Sequence, residues 1–255
     1  MIKKTLIKLS GKLIDNDIFM ELIEDLHYLR KANHSLALVH GGGKIITQYL
    51  DSQQIASKFI DGLRVTESDA IKIVEMVLAG LINKQLTRWL NAANIPAVGI
   101  SGSDLNLIEA CMIKPELGHV GRVENINPQI VDLFWKNNLF AVIAPTGTTA
   151  QGDCLNINAD MSAGALACAL SVDNLIYFTD ANGVLINGKK IDTLSAMAIP
   201  EFISKGIASE GMIPKLEACK IAKESGISKI KIARWAGKGS LLEALGSENI
   251  GTEII

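Results

Sequence analysis

The sequence predicts an α/β protein, a three-layer αβα sandwich around a central, mostly parallel sheet. Short apolar runs of strand length alternate along it with stretches of helical period. Glycine and asparagine punctuate the junctions between them. Its 255 residues, 48% of them hydrophobic, supply enough apolar surface for a sizeable core and a cleft between lobes.

Strands are expected at Thr5–Leu9, Leu36–Val39, Ala97–Gly99, Leu139–Ala144, Leu175–Phe178 and Lys229–Ala233. Between the first two, Ile18, Leu22, Ile23, Leu26 and Leu29 recur at helical spacing, so Asp17–Lys31 should be a crossover helix joining parallel strands. Further helices are expected at Lys44–Ser52, Glu67–Ala93 with a break near Gly80, Pro128–Lys136, Met161–Leu170 and Pro214–Ser225. Leu117–Val123 reads as part of a hairpin or flap, and Asp180–Asn187 as a turn leading into a short hairpin. With no repeat and no Pro/Ser-rich linker, a lobe boundary must be a compact hinge, placed after Val172, giving lobes 1–172 and 173–255.

Composition excludes several function classes. Twenty-five basic against 27 acidic residues leave no cationic excess for a nucleic-acid surface. Lys3, Lys4, Lys8 and Lys12 interrupt the opening apolar stretch, and no later run reaches membrane-spanning length, so a cytoplasmic protein without membrane association is expected. Cys111, Cys154, Cys168 and Cys219, and His27, His34, His40 and His119, are scattered without ligand spacing; no metal site is expected.

Five segments carry chemistry. Lys8 lies near the carboxyl end of an apolar strand, where open α/β sheets bind ligands, and is followed by the small-residue turn Ser10-Gly11. A lysine there either meets an anion or snorkels to an edge. His40-Gly41-Gly42-Gly43-Lys44 joins a strand to a helix, so backbone N–H groups can approach an anion closely. Leu38 and Ile45 exclude a Walker loop, and Ile46 excludes the dinucleotide fingerprint. Arg64, in Asp61–Thr66, suits a bidentate carboxylate contact or is a solvated charge. Asn156, Asn158 and Asp160 precede a small-residue helix; one can cap it, and the surplus can orient a ligand or fix a lysine. Lys215, beside Pro214 at a helix start, opposes the helix dipole unless an anion sits there. Two lysines, two glycine turns, an arginine and an aspartate together suggest phosphoryl transfer to a small anionic acceptor.

From Lys8 to Ile254 the chain resembles the acetylglutamate kinases of the amino-acid kinase family. The resemblance rests on KLSG at Lys8–Gly11, HGGG at His40–Gly43, GLRVT at Gly62–Thr66, ELGHVGRV at Glu116–Val123, NINAD at Asn156–Asp160, TDANGVL at Thr179–Leu185 and GMIPK at Gly211–Lys215. It implies an N-terminal lobe that binds N-acetylglutamate, a C-terminal lobe that binds ATP, and transfer of the γ-phosphoryl to the acceptor's side-chain carboxylate. By resemblance Lys8 and Lys215 stabilise the transferring group and Asp160 orients both. Gly11 and Gly43 meet phosphates, while Gly42, Gly43, Arg64 and Asn156 hold the acceptor under a flap at Gly118–Val123. Thr179, Asp180, Ala181, Asn182, Gly183, Val184 and Leu185, with Ile207, Ala208 and Ser209, map onto the nucleotide pocket, and Mg²⁺ rides mainly on the ATP phosphates. Where the family has two glycines after Lys8-Leu9, this chain has Ser10-Gly11, a form that the related uridylate kinases carry.

Arginine-inhibited members assemble as hexamers through an additional N-terminal helix, and the first expected strand begins within a few residues of Met1, so an unregulated homodimer is expected. Two other functions remain compatible with the residues. One is a kinase of a related acid, an α-aminoadipate derivative or N-acylaspartate, since one methylene of pocket discriminates by only ~1–3 kcal/mol. The other is a non-catalytic nucleotide or amino-acid sensor, which predicts loss of a transfer residue; Lys8, Asp160 and Lys215 are all present.

Overall fold

The structure, a computed structural model, describes residues 2–14, 16–208, 211–246 and 250–255. The strands in chain order are β1 (Lys3–Leu9), β2 (His34–His40), β3 (Phe59–Ile60), β4 (Leu63–Arg64), β5 (Ala97–Ser101), β6 (Ile108–Met112), β7 (Val120–Ile126) and β8 (Phe140–Ala144). They continue with β9 (Thr146–Thr148), β10 (Cys154–Ile157), β11 (Asn174–Thr179), β12 (Leu185–Ile186), β13 (Lys189–Lys190), β14 (Thr193–Leu194), β15 (Lys229–Arg234) and β16 (Thr252–Ile254). The helices are α1 (Asn16–Lys31), α2 (Gly43–Ser52), α3 (Ser68–Glu75), α4 (Asn83–Ala92), α5 (Gln129–Lys136), α6 (Ala159–Ala169), α7 (Ile199–Ser204), α8 (Ile213–Glu224) and α9 (Ser240–Leu245).

Among the described residues, eight strands form the main sheet in the order β14-β16-β15-β11-β1-β2-β8-β5. Every pairing in it is parallel except β15 with β16. Its inner strands are buried on both faces, which is why they read as continuous apolar runs rather than alternating ones. Leu6, Val39, Ile143, Tyr177 and Ile232 face one apolar layer with α5, α6 and α8; Ile7, Leu38, Val142, Ile176 and Phe178 face the other with α1–α4 and α9. All six expected strands lie in this sheet, and β1 at its middle pairs with both β2 and β11, so the sheet runs uninterrupted across residue 172.

The expected break near Gly80 takes the form of a π-helical segment, Met76–Ile82, joining α3 to α4. The extra residue per turn shifts the buried stripe, so that Val77, Leu78 and Ile82 stay in the core while Met76 and Leu81 face outward. A second, smaller sheet closes β10-β7-β6-β9, and its antiparallel β6–β7 pair is the expected hairpin. β12 and β13 form the other. Sequence periodicity did not reveal β14, β16, α7 or α9, each too short to establish a period.

α1 is tied to α9 through a buried carboxylate: Asp25 accepts the N–H groups of Gly239, at 2.9 and 3.1 Å, and of Leu241, at 3.0 Å. Burial pushes this carboxyl up, while the backbone donors pull it back. The charge offsets the positive end of α9, and the first turn of that helix keeps its orphan donors paired.

Candidate active site

Lys8, on β1, projects from the face occupied by Leu6 toward α6 and α8, because strand side chains alternate. There its Nζ lies 2.8 Å from Oδ1 of Asp160, in the first turn of α6. Nζ of Lys215, in the first turn of α8, lies 2.6 Å from the same oxygen. All three side chains are buried. Burial pushes the Asp160 carboxyl up, but attraction to Lys8 and Lys215, with hydrogen bonds from both, outweighs it and holds the group at about 2. Lys215 is pulled below its ordinary value by burial and by the like charge of Lys8, with Asp160 opposing. Two ammonium groups share one carboxylate, leaving an excess positive charge at the carboxyl edge of the sheet.

Tyr177 forms the floor of this group. It is the β11 register partner of Lys8, its hydroxyl donates to the Asp160 backbone carbonyl at 3.1 Å, and the Lys215 ammonium stands 5.0 Å from its ring centre. Asn158 is the cap of α6, accepting from the N–H groups of Asp160 and Met161 at 2.9 and 3.2 Å. That leaves Asp160 free to hold the lysines.

The two glycine turns pack backbone to backbone. A Cβ on Gly11 would lie 2.6 Å from the backbone N of Gly42, and one on Gly42 would meet Leu78 and Ile82 at 2.7 Å. Gly43, by contrast, opens to free space at the start of α2, whose first turn has no side-chain cap, so its N–H groups are available to an anion. Ser10 has φ −62 and ψ 139, ordinary extended backbone, and its hydroxyl accepts weakly from the Lys12 N–H at 3.4 Å. Serine therefore stands at this position without strain.

Beside the triad is a cavity of about 240 Å³ lined by, among others, Lys8, Gly43, Phe59, Arg64, Asn156 and Asp160. Arg64 donates to the Ser57 hydroxyl at 2.7 Å, to the Gly43 carbonyl at 2.9 Å and to the Thr47 hydroxyl at 2.8 Å. The Phe59 ring covers it, centroid 4.7 Å away. Burial lowers its pKa, with Asp51 opposing. Among the described residues no carboxylate forms an ion pair with it, so a buried, permanently charged fork faces the cavity without a counter-charge in contact. The Asn156 amide donates to Thr66 Oγ1 at 3.1 Å, and Thr66 Oγ1 donates to the Arg64 carbonyl at 2.8 Å. The flap is fastened to the same residues: Thr66 N–H donates to Leu117 O at 2.9 Å and His119 N–H to Thr66 O at 2.7 Å. Gly118, at φ 63, has Thr66 O where a Cβ would stand, 2.4 Å away.

Thr179–Leu185 leaves the carboxyl end of β11. Thr179 Oγ1 donates to Asp180 Oδ1 at 3.1 Å, and Lys12 Nζ contacts Asp180 Oδ2 at 2.6 Å. The Lys12 bond chiefly holds the Asp180 carboxyl below its ordinary value. Ala181 and Asn182 are partly or fully open to solvent, as is Leu185, whereas Val184 packs into the core and its carbonyl accepts the Ile191 N–H at 3.0 Å. Gly183, at φ 129, packs against Gly251 and Thr252, and Thr252 Oγ1 accepts the Val184 N–H at 2.8 Å. Ile207 and Ala208 follow α7, with Ala208 packed on the same apolar layer as Val184; Ser209 lies outside the described residues. The roles of Thr47, Ser57, Thr66, Tyr177 and Thr252 escape sequence reasoning, although the GLRVT run that contains Thr66 was itself a signal.

His40, which opens the second glycine turn, is fully buried and faces inward. Its Nδ1 lies 3.1 Å from Gly41 O and its Nε2 3.5 Å from the Asn83 amide nitrogen, an amide that also donates to Ile100 O and Val142 O. These partners suit a neutral ring with the proton on Nδ1, and burial lowers its pKa from 6.5 to about 4. As pH falls, the unfolded chain takes this proton first, so stability is lost from about pH 6.5 down to about 4. The loss amounts to about 2 kcal/mol by pH 5. Urea unfolding at pH 7 and pH 5 should show that fall, and His40→Gln should flatten it.

A model of the amino acid kinase family matches residues 3–234. The acetylglutamate kinase of Solibacter usitatus is 40% identical over 254 residues, 99% of each chain. That of Koribacter versatilis is 38% identical, covering 99% of this chain and 98% of its own. Among solved structures, smu.665 from Streptococcus mutans superposes with a TM-score of 0.85 at 30% identity, covering 98% of each chain.

Proposed function

We infer the reaction from one premise: the chain belongs to the amino acid kinase family, and it is a kinase. It transfers the γ-phosphoryl of ATP to the side-chain carboxylate of N-acetyl-L-glutamate, giving N-acetyl-L-glutamyl 5-phosphate, a step of arginine biosynthesis. The observation that carries this reading is the pair of buried lysines sharing Asp160 Oδ1 beside a small cavity that holds Arg64. The names of the relatives supply the acceptor.

In this reading an acceptor carboxylate oxygen attacks the γ-phosphorus, the bond from phosphorus to the β,γ-bridging oxygen breaks, and ADP leaves. No proton need be removed, because a carboxylate is ionised at neutral pH. Lys8 and Lys215 neutralise charge on the transferring group from two sides, and Asp160 fixes both without touching the reacting atoms. Gly11 and Gly43 offer N–H groups to phosphate oxygens. Arg64 forks onto the acceptor's α-carboxylate, supported by Gly42, Gly43 and Asn156, and the flap at Gly118–Val123 covers it. ATP occupies the C-terminal lobe, 173–255, along Thr179–Leu185 and Ile207–Ser209, while lobe 1–172 holds the acceptor. Mg²⁺ enters as part of the nucleotide substrate.

Two further points belong to the same reading. The chain works as a homodimer, to which the outward Met76 and Leu81 offer apolar surface; light scattering tests it. It acts in the cytoplasm; no helix of the described residues is long and apolar enough to cross a membrane.

An ATP-dependent hydroxamate assay, which traps acyl phosphate, decides the reaction. Signal with N-acetylglutamate, and none with N-acetylaspartate, free glutamate or α-aminoadipate derivatives, is expected. Signal with another acceptor keeps the chemistry and changes the substrate; ATP binding without any signal overturns the enzyme reading.

A further inference from the structure

Lys12 belongs neither to the buried triad nor to the lining of the acceptor cavity. It sits in the 3₁₀ turn Gly11–Leu13 beyond the end of β1, and its Nζ stands 2.6 Å from Oδ2 of Asp180, the first residue beyond β11. β1 and β11 are paired neighbours, with Leu9 opposite Phe178, and Ser10 N–H donates to Phe178 O at 3.1 Å. The ion pair therefore bridges two adjacent turns on the carboxyl edge of the sheet. One turn carries Gly11; the other opens the Thr179–Leu185 segment.

Both side chains are more than half exposed, 67% and 56%. So open a pair does little for the fold. Its location matters more. A nucleotide with its base end along Thr179–Leu185 and its terminal phosphates at Gly11 and Lys8 must lay its polyphosphate across this bridge. A lysine on a flexible stem, held by a single carboxylate, can exchange that partner for a more highly charged anion without disturbing packed structure.

Resting on the kinase reading, we propose that Lys12 is a nucleotide-binding cation kept in place by Asp180, and that an incoming polyphosphate displaces the carboxylate from its ammonium. No covalent bond changes; one ion pair is replaced by another. Asp180 acts as a competitor that sets a threshold: an anion must out-compete one carboxylate to open the bridge. Diphosphates and triphosphates do so; an uncharged nucleoside does not. The pair thus adds discrimination against uncharged nucleosides to a site whose buried lysines read only the transferring group.

Calorimetric titration of the full chain with ATP, ADP and adenosine, at low and high salt, tests this. Lys12→Met should weaken ATP and ADP binding about tenfold, the size of one charge-assisted contact, leave adenosine binding unchanged and reduce the salt dependence. Asp180→Asn should tighten ATP binding in the native background and have no such effect when combined with Lys12→Met. Unchanged ATP and ADP affinity in Lys12→Met would overturn the proposal, as would equal weakening of ATP and adenosine. Absence of any adenine-nucleotide binding by the unmodified protein overturns the kinase reading itself, and so differs from failure of this inference alone.

Discussion

Lys8→Met should lower kcat by about 10²–10³-fold, the loss seen when one preorganised donor to a developing charge is removed. The KM for ATP should move by less than about threefold, because the ammonium matters most when the γ-phosphoryl is in flight. Methionine fills nearly the same volume, and Asp160 keeps its 2.6 Å contact with Lys215, so the fold has little reason to loosen. Initial rates of ADP release, with thermal melting as the control, separate these outcomes. A rise in KM at constant kcat would mean that Lys8 holds the nucleotide rather than the transition state.

Asp160→Asn should act on both axes. The substitution leaves Lys8 and Lys215 buried side by side with no counter-charge, and breaking a buried ion pair in this way costs about 3–5 kcal/mol. Lys215 is already lowered by burial and by Lys8, and would lose the group that opposes both. Its proton would leave at lower pH, so the alkaline limb of the kcat/KM profile should move toward neutrality. A purely structural role for Asp160 would lower the melting temperature and leave that limb in place. The native protein also has an acid limb of stability from this residue. With a folded pKa near 2, against 3.8 for an unperturbed aspartate, the stabilisation is complete above about pH 4 and is lost as pH falls through about 2. The Asn variant should lack it.

The chain declared the middle of its sheet and both lysines, because each rests on a local pattern: an apolar strand ending in Lys8, and a proline-initiated helix carrying Lys215. It also declared Asp160, since a run with three polar residues exceeds what one cap consumes. What it could not declare are partners assembled by topology. Tyr177 reads as one more apolar position in β11, and only the register opposite Lys8 shows that it forms the floor of the site. Thr252 lies 68 positions from the Val184 N–H that it accepts, in a three-residue strand with no period to detect. Ser57 and Thr47 look like ordinary surface polar residues until β4 brings Arg64 against them.

The placement of β1 has a consequence for how the molecule is made. Its first strand pairs with β2 close by and with β11 some 170 positions later, Thr5 facing Asn174. A nascent chain carrying only the first half can form the β2 side, but must wait for β11 to cover the other edge. Such non-local closure is slow and exposes an unpaired edge meanwhile. Lys215 arrives later still, so the site is completed only when almost the whole chain has left the ribosome. A fragment ending at Val172 would keep Lys8 and Asp160 yet present a bare β1 edge, and it should associate through that edge rather than remain a dispersed half-enzyme.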